Sequence, residues 1–351
     1  TRGGSLAEHV ASRFVGRGGG STITAGAVSV AAGLLFFFRA IPFSFLGDTF
    51  LYLAEVNRAA DSGHVNLLRY NSLLSSLIFL FAGSKLMTLF GIVEVARVFW
   101  LIAAVCGAVY VYILLRGVSA VADDVLEAVM FVGLMLGLGG VVLFFGYVEY
   151  YAPLFVATLA YAVALHRATA RSESLVRPAL LLVLCIAFHF LALFYIPAFL
   201  LAVYLRRRKY ETEGVSSAAY FRMVLAGLIV FSGVVGAVVL LGLEPLYASL
   251  IPFSMQSWTG TYTMFSSYHL LDLPNEMVLV AAIPTALLIG LSITGRLRYP
   301  AHTAPAQVFL VFALSLVMLA VVHFPFYGMA RDWDIYAPLG IATAFYLFTV
   351  L

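Results

Sequence analysis

Long apolar runs separated by short polar breaks set the pattern of this chain from residue 25 to its last residue. A helix needs about 20 apolar residues to cross the hydrocarbon of a bilayer. Runs near that length occupy 25–46, 96–116, 124–145, 151–166, 219–242, 276–295, 305–325 and 338–351. The stretch 178–205 is also apolar, long enough for two short helices with a break expected between His189 and Pro197. The pattern therefore predicts an all-α, polytopic integral membrane protein with about ten membrane segments. Segment 66–91 is ambiguous, because it is apolar yet holds Arg69, Lys85 and several serines. It reads either as one more span or as amphipathic helices lying at the membrane surface.

Charge placement separates those two readings. Let residues 1–24 be cytoplasmic and all of 47–95 lie on the opposite face. Then 14 of the 20 Lys and Arg residues are cytoplasmic, among them the run Arg206, Arg207, Arg208 and Lys209. The remaining six, Arg39, Arg58, Arg69, Lys85, Arg97 and Arg331, are outside. A span at 66–91 would reverse every later connection and expose the basic run, against the positive-inside bias. Residues 1–24 are thus predicted to form a cytoplasmic segment and 25–351 a single membrane domain, with juxtamembrane helices in its first outer loop. No repeat or low-complexity linker divides it. The first residue is not Met and the last apolar run stops short, as expected of part of a longer chain. Residues 1–24 do not resemble a cleavable signal peptide.

Composition agrees with the pattern. The chain is 63% hydrophobic and 11% charged, against roughly 25% charged in soluble domains, and its mean hydropathy is +1.03. A net charge of +3 is too small to point to nucleic acid. Cys106 and Cys185 sit inside apolar runs without metal or redox spacing and read as buried thiols. The predicted topology also sorts the polar residues. Ten of the 17 acidic residues, including Asp48, Glu149, Asp332 and Asp334, gather on the outer face. Four of the seven histidines, His64, His189, His269 and His323, join them.

Four outer stretches carry candidate chemistry. In FLGDTFLYLAEVNRAADSGHVN (45–66), Asp48 follows the first membrane helix, and Tyr52 and Glu55 recur at helical spacing. Asp48 reads equally as an N-cap of that surface helix. In GYVEYYAP (146–153), Glu149 stands among Tyr147, Tyr150 and Tyr151. Tyrosines collect at membrane boundaries regardless of function, but a carboxylate at that depth costs on the order of 2–3 kcal/mol unless it finds a partner or water. The stretch 254–276 offers Ser, Thr, Tyr and Trp for a sugar pocket, with His269 near its end; it also reads as a solvated loop whose Asp272 caps a helix at 276. In MARDWDIYAP (329–338), Arg331 has the fork geometry for phosphate oxygens. Asp332 and Asp334 could hold a hard divalent cation such as Mg or Mn, or tie the loop through an Arg–Asp pair. Arg69, Lys85 and Arg331 are the cations that could meet a lipid phosphate, and His189 could stand near it or serve as a polar group at a helix break.

The order in 45–97 runs membrane helix, Gly-Asp, aromatic-bearing surface helix ending near Gly-His, second surface helix, then FGIVEVAR opening the next span. This resembles the start of C-type membrane glycosyltransferases, in particular the branch of protein O-mannosyltransferases and lipid A aminoarabinose transferases. The resemblance covers most of the chain in topology, through short motifs. It implies an acidic active-site residue in the first outer loop, a position matched by Asp48. A second acidic residue is implied in the next outer loop, matched by location by Glu149. The family often carries an Asp-Glu pair at the first position, where this chain has Asp48-Thr49. The resemblance further implies a polyprenyl-phosphate sugar as donor and a glycan, lipid or protein as acceptor. The active site would face the periplasm from a bacterial inner membrane. On this reading Tyr52, His64, Arg69, Lys85, His189, His269, Arg331, Asp332 and Asp334 would contact substrate or lipid phosphate. Two other readings compete: a secondary transporter, which would call for repeats and broken helices, and an inactive glycosyltransferase-like subunit of a larger membrane complex.

Overall fold

The computed structural model describes residues 22–41, 49–62, 73–92, 94–213, 217–241, 263–296, 303–323 and 333–351. Its regular structure is helical. Helix α1 spans Thr22–Phe38 and α2 Thr49–Ser62. α3 is a composite of Leu73–Ser76, a π-helical turn Leu77–Ala82 and Gly83–Phe90. α4 covers Val95–Gly117, α5 Val125–Leu136, α6 Ala152–Ala170 and α7 Val176–Phe188. α8 covers Ile196–Glu213, α9 Ser217–Leu241, α10 Ser267–Ile293, α11 Ala304–Val322 and α12 Ala337–Val350. Short 3-10 turns at Gly139–Phe144, Phe190–Tyr195 and Trp333–Tyr336 precede α6, α8 and α12.

Five helical stretches among the described residues are long and apolar enough to cross a membrane: Val95–Ala120, Phe190–Thr212, Ser217–Leu240, Ser267–Ile293 and Ala304–Val322. Thr22–Phe38, Leu74–Phe90, Val125–Leu136 and Val176–Phe188 are apolar but shorter. Among the described residues the chain is thus all-helical, with the spans of an integral membrane protein.

α6 forms the axis of the bundle, with 15 of its 19 residues buried. α4 and α7 pack on it, α1 on α4, and α9 on α7; α11 and α12 pair, with α10 against α12 and α8 against α11. Small residues set several of these approaches, as packing between helices in lipid favours. A methyl at Gly33 would meet the Ala108 side chain at 2.9 Å, and one at Gly117 would meet Val163 at 2.9 Å. Several polar groups in the interior are partnered across helices. Tyr110 donates to the Met135 carbonyl at 2.9 Å, and the Thr158 and Tyr195 hydroxyls meet at 2.9 Å. Cys185 is buried as expected, whereas Cys106 is only half-buried.

Two expected elements differ. The run 124–145 is not one helix: α5 stops at Leu136, and a 3-10 turn starts at Gly139. A methyl on Gly139 would overlap the Leu279 carbonyl oxygen, and one on Gly140 would meet the Phe155 ring at 2.5 Å. These glycines serve contacts with distant helices, and the local helix gives way. The helix expected from 276 begins at Ser267, capped by the Ser266 side chain, so Asp272 lies inside α10 and not at its cap. α10 is broken at Ala281 (φ −140°, ψ 34°), just before Pro284. Proline cannot donate to the carbonyl four residues back, here that of Val280. That carbonyl faces Gly340 of α12, where a methyl would fall 2.5 Å from its oxygen.

Hydrogen bonds define the two ends of the bundle. The Ile41 amide donates to the Phe145 carbonyl at 2.8 Å, placing the end of α1 beside the loop before α6. At the opposite end, Arg167 donates to the Arg116 carbonyl, Arg171 to that of Ser119, and the Lys209 ammonium to Ser172 Oγ at 3.2 Å. The first end carries Glu149, His189 and Asp334; the second carries the basic run. Both ends of α3 adjoin the first. Ser75 touches Tyr150 and Phe188, while Phe90, Gly91 and Ile92 border a groove shared with Phe37 and Leu101.

Candidate functional site

The site is built around residues 146–151, the loop entering α6. Gly146 makes the turn at φ +86°, a conformation favoured by glycine. A methyl there would also meet Trp100 at 2.8 Å and Ala40 at 2.9 Å. The chain then turns inward, and the Glu149 amide bonds back to the Tyr147 carbonyl at 3.1 Å. Glu149 is 3% exposed, with Tyr147, Val148 and Tyr150 buried beside it. A carboxylate held this far from water is disfavoured unless partnered or given a ligand.

Three remote segments meet this loop through neighbouring tyrosines. Tyr52 of α2 stacks on Tyr150 with ring centroids 4.0 Å apart, and Phe79 of α3 stacks on the same ring at 5.0 Å. The Ser75 hydroxyl reaches the Tyr150 carbonyl at 3.2 Å and the Phe188 carbonyl at 3.1 Å, locking α3 between the loop and the end of α7. Tyr151 faces the His189 ring at 5.2 Å, and Tyr147 faces Trp333 at 5.5 Å. α2 with α3, the tip between α7 and α8, and the turn at Trp333–Tyr336 therefore converge on one strip of six residues.

His189 sits in extended conformation at that tip, where α7 ends, and its Nδ1 accepts the Leu191 amide at 3.3 Å. This is the break expected between His189 and Pro197. His323, at the end of α11, lies within electrostatic reach of His189, and its Nδ1 pairs with the Tyr336 hydroxyl at 2.8 Å. His269, fully buried in the first turn of α10, places Nε2 2.9 Å from the Val321 carbonyl. Asp334 is buried in the turn before α12, and its Oδ1 accepts the Ile335 amide at 3.1 Å.

The predicted site residues thus separate into groups. Tyr52 and His189 meet the loop that holds Glu149. Asp334 adjoins it through Trp333, and His269 joins the neighbouring α11 end. Lys85 stands on the exposed face of α3, its ammonium 5.8 Å from the Phe81 ring. Asp48, His64, Arg69, Arg331 and Asp332 lie outside the described residues. Among the described residues no group of three or more His, Cys, Asp or Glu side chains is arranged to hold a metal ion. Sequence reasoning passed over Ser75 and Tyr336, which fasten the site's walls. Ser75 carried a weak signal as a serine within an apolar run; Tyr336 carried none, because its partner is thirteen residues away.

Beside the site runs a groove of about 450 Å3 lined by Phe37, Phe90, Gly91, Ile92, Glu94, Arg97 and Leu101. Its walls are mostly apolar, and the Arg97 Nε to Glu94 Oε2 pair (2.8 Å) is its charged feature. No family model, curated protein or solved structure matches the chain.

Proposed function

We propose that this chain is a membrane glycosyltransferase of the C type, moving a sugar from a polyprenyl-phosphate donor to an acceptor hydroxyl on a glycan, lipid or protein. The observation that carries the proposal is the convergence on Glu149. A buried carboxylate stands in a wall of tyrosines, next to the helix that follows Asp48 in sequence and within the same end of the bundle as His189 and Asp334. Aromatic faces and hydroxyls suit a sugar, and the adjoining apolar groove suits a polyprenyl tail. About ten membrane segments, with α2 and α3 on the membrane surface, would turn this end toward the periplasm from a bacterial inner membrane.

In the proposed step the acceptor oxygen attacks the anomeric carbon while a carboxylate, Asp48 or Glu149, takes its proton. The bond from the anomeric carbon to the phosphate oxygen breaks, and polyprenyl phosphate leaves with the electron pair. Cations such as Arg331 would stabilise the leaving phosphate. The transporter reading draws on the break in α10, yet the freed Val280 carbonyl faces Gly340 in the helix interface, where a transport path would need it turned toward a cavity.

The test is transfer from a radiolabelled polyprenyl-phosphate sugar by the purified chain in lipid. Glu149→Gln and Asp48→Asn should each lower transfer by roughly 100-fold or more, the range expected for a lost acid–base group, with the thermal midpoint retained in at least one of them. Full transfer by both variants would overturn the proposal.

A further inference from the structure

We propose a second site, a phosphate-binding pocket at the basic end, on the opposite side of the bundle from Glu149 and independent of the glycosyltransferase reading. A cavity of about 130 Å3 opens between the turn after α6, the end of α8 and the start of α9. A liquid water occupies roughly 30 Å3, so the space admits a larger group. Ser172, Ser174, Arg206, Tyr210 and Arg222 supply its polar lining.

Arg206 distinguishes this pocket from an ordinary basic surface. Its residue is only 7% exposed, while its neighbours Arg207, Arg208 and Lys209 are exposed. Its guanidinium donates to the Glu173 carbonyl and lies over the Tyr210 ring, 5.4 Å from the centroid. Both partners are uncharged, and among the described residues no carboxylate closes on it. Arg207, by contrast, is paired with Glu211 at 2.8 Å. A buried guanidinium without a counter-charge is costly, and a bound anion removes that cost. Two arginines and two serine hydroxyls around one cavity match a tetrahedral oxyanion, with bidentate contacts from the guanidinium fork.

The turn is shaped for this. α6 ends with the Glu173 amide bonded back to the Arg167 carbonyl at 3.4 Å and Ser172 at φ +57°. That left-handed position is one glycine usually fills, and here it holds a serine whose hydroxyl lines the cavity. Exposed Tyr204, Tyr220 and Phe221 flank the pocket on α8 and α9. Such a belt lies at headgroup depth in a bilayer. The shared chemistry is a phosphate group, carried by a lipid headgroup or by a free phosphate.

The test uses the full chain, with thermal midpoints measured in detergent against inorganic phosphate, and retention of labelled phosphatidic acid measured from mixed vesicles with phosphatidylcholine. The intact chain should retain phosphatidic acid, or be stabilised by phosphate, and the arm that responds names the source. Arg222→Gln, an exposed change that leaves the core untouched, should weaken the responding arm by at least roughly ten-fold, the value of a charged hydrogen bond. Arg206→Gln should weaken it further, and Arg207→Gln should leave it unchanged. No response of the intact chain in either arm overturns the proposal. So does an Arg222→Gln effect no larger than that of Arg207→Gln, since the attraction would then be diffuse charge.

Discussion

The two ends of the bundle are both rich in ionisable residues, yet they are built on opposite plans. At the end that carries Glu149, the polar groups are buried: Glu149, His189, His269, His323 and Asp334 are each at most 7% exposed. They come from four separate parts of the chain and are fixed by stacked rings and by hydrogen bonds across elements. At the other end the charges are concentrated in sequence and mostly exposed, and several arginines spend their donors on helix-end carbonyls, as Arg167 and Arg171 do toward α4. Such contacts satisfy orphan carbonyls and suit the helix dipole. The basic end caps helix ends; the buried end gathers side chains from separate segments. Arg206 is the exception that joins the two plans, being a buried charge at the exposed end.

That comparison breaks most readily at Gly146. If the buried end depends on the inward turn of residues 146–151, Gly146→Ala must disturb it, because the residue sits at φ +86° and a methyl would strike Trp100 and Ala40. Left-handed strain and overpacking each cost about 1–3 kcal/mol, so a loss of about 3 kcal/mol is expected. It would be read as a lowered unfolding midpoint in detergent together with loss of the proposed sugar transfer. A variant as stable and as active as the original would mean that the turn does not shape the site.

Ser75→Ala sharpens the comparison on a smaller scale. Its hydroxyl is shared between the Tyr150 and Phe188 carbonyls, which belong to two different walls. Removing one buried hydrogen-bond donor costs about 1–2 kcal/mol. The expected outcome is a modest fall in midpoint with faster hydrogen exchange in residues 73–76 and 147–151. Exchange unchanged in the second segment would show that α3 and the loop are not coupled through this serine.

The span pattern was legible where charge or caps mark the ends. α4 at 95–117 and α9 at 217–241 fall within two residues of expectation, and α11 starts at Ala304 behind the Thr303 cap. It was not legible where distant contacts decide. The break of α5 serves Leu279 and Ala337, residues far along the chain, and nothing in LGLGG announces them. The early start of α10 was hidden because Pro274 and polar residues read as loop, whereas the Ser266 cap lets the helix begin before that proline. For the site, the residue types could be chosen from sequence by their cost in lipid, as Glu149 was. Their company could not, since the Tyr52–Tyr150 and Tyr147–Trp333 contacts join segments separated by about a hundred residues or more.

The smallest expected effect bears on the basic end. Arg207 and Glu211 form a 2.8 Å pair on adjacent turns of α8, with both side chains more than half exposed. Exposed pairs of this spacing contribute little, because solvent screens the attraction and two long side chains lose freedom in forming it. Arg207→Gln should therefore leave the unfolding midpoint unchanged within error, in low salt as in high. Yet the same substitution removes one charge from the run proposed to set orientation, so it should raise the fraction of chains inserted the wrong way round when tested alongside loss of Arg208 and Lys209. A midpoint that falls with Arg207→Gln would mean that this end, too, depends on specific partners, and the distinction between a capping end and a site-building end would have to be redrawn around more than Arg206.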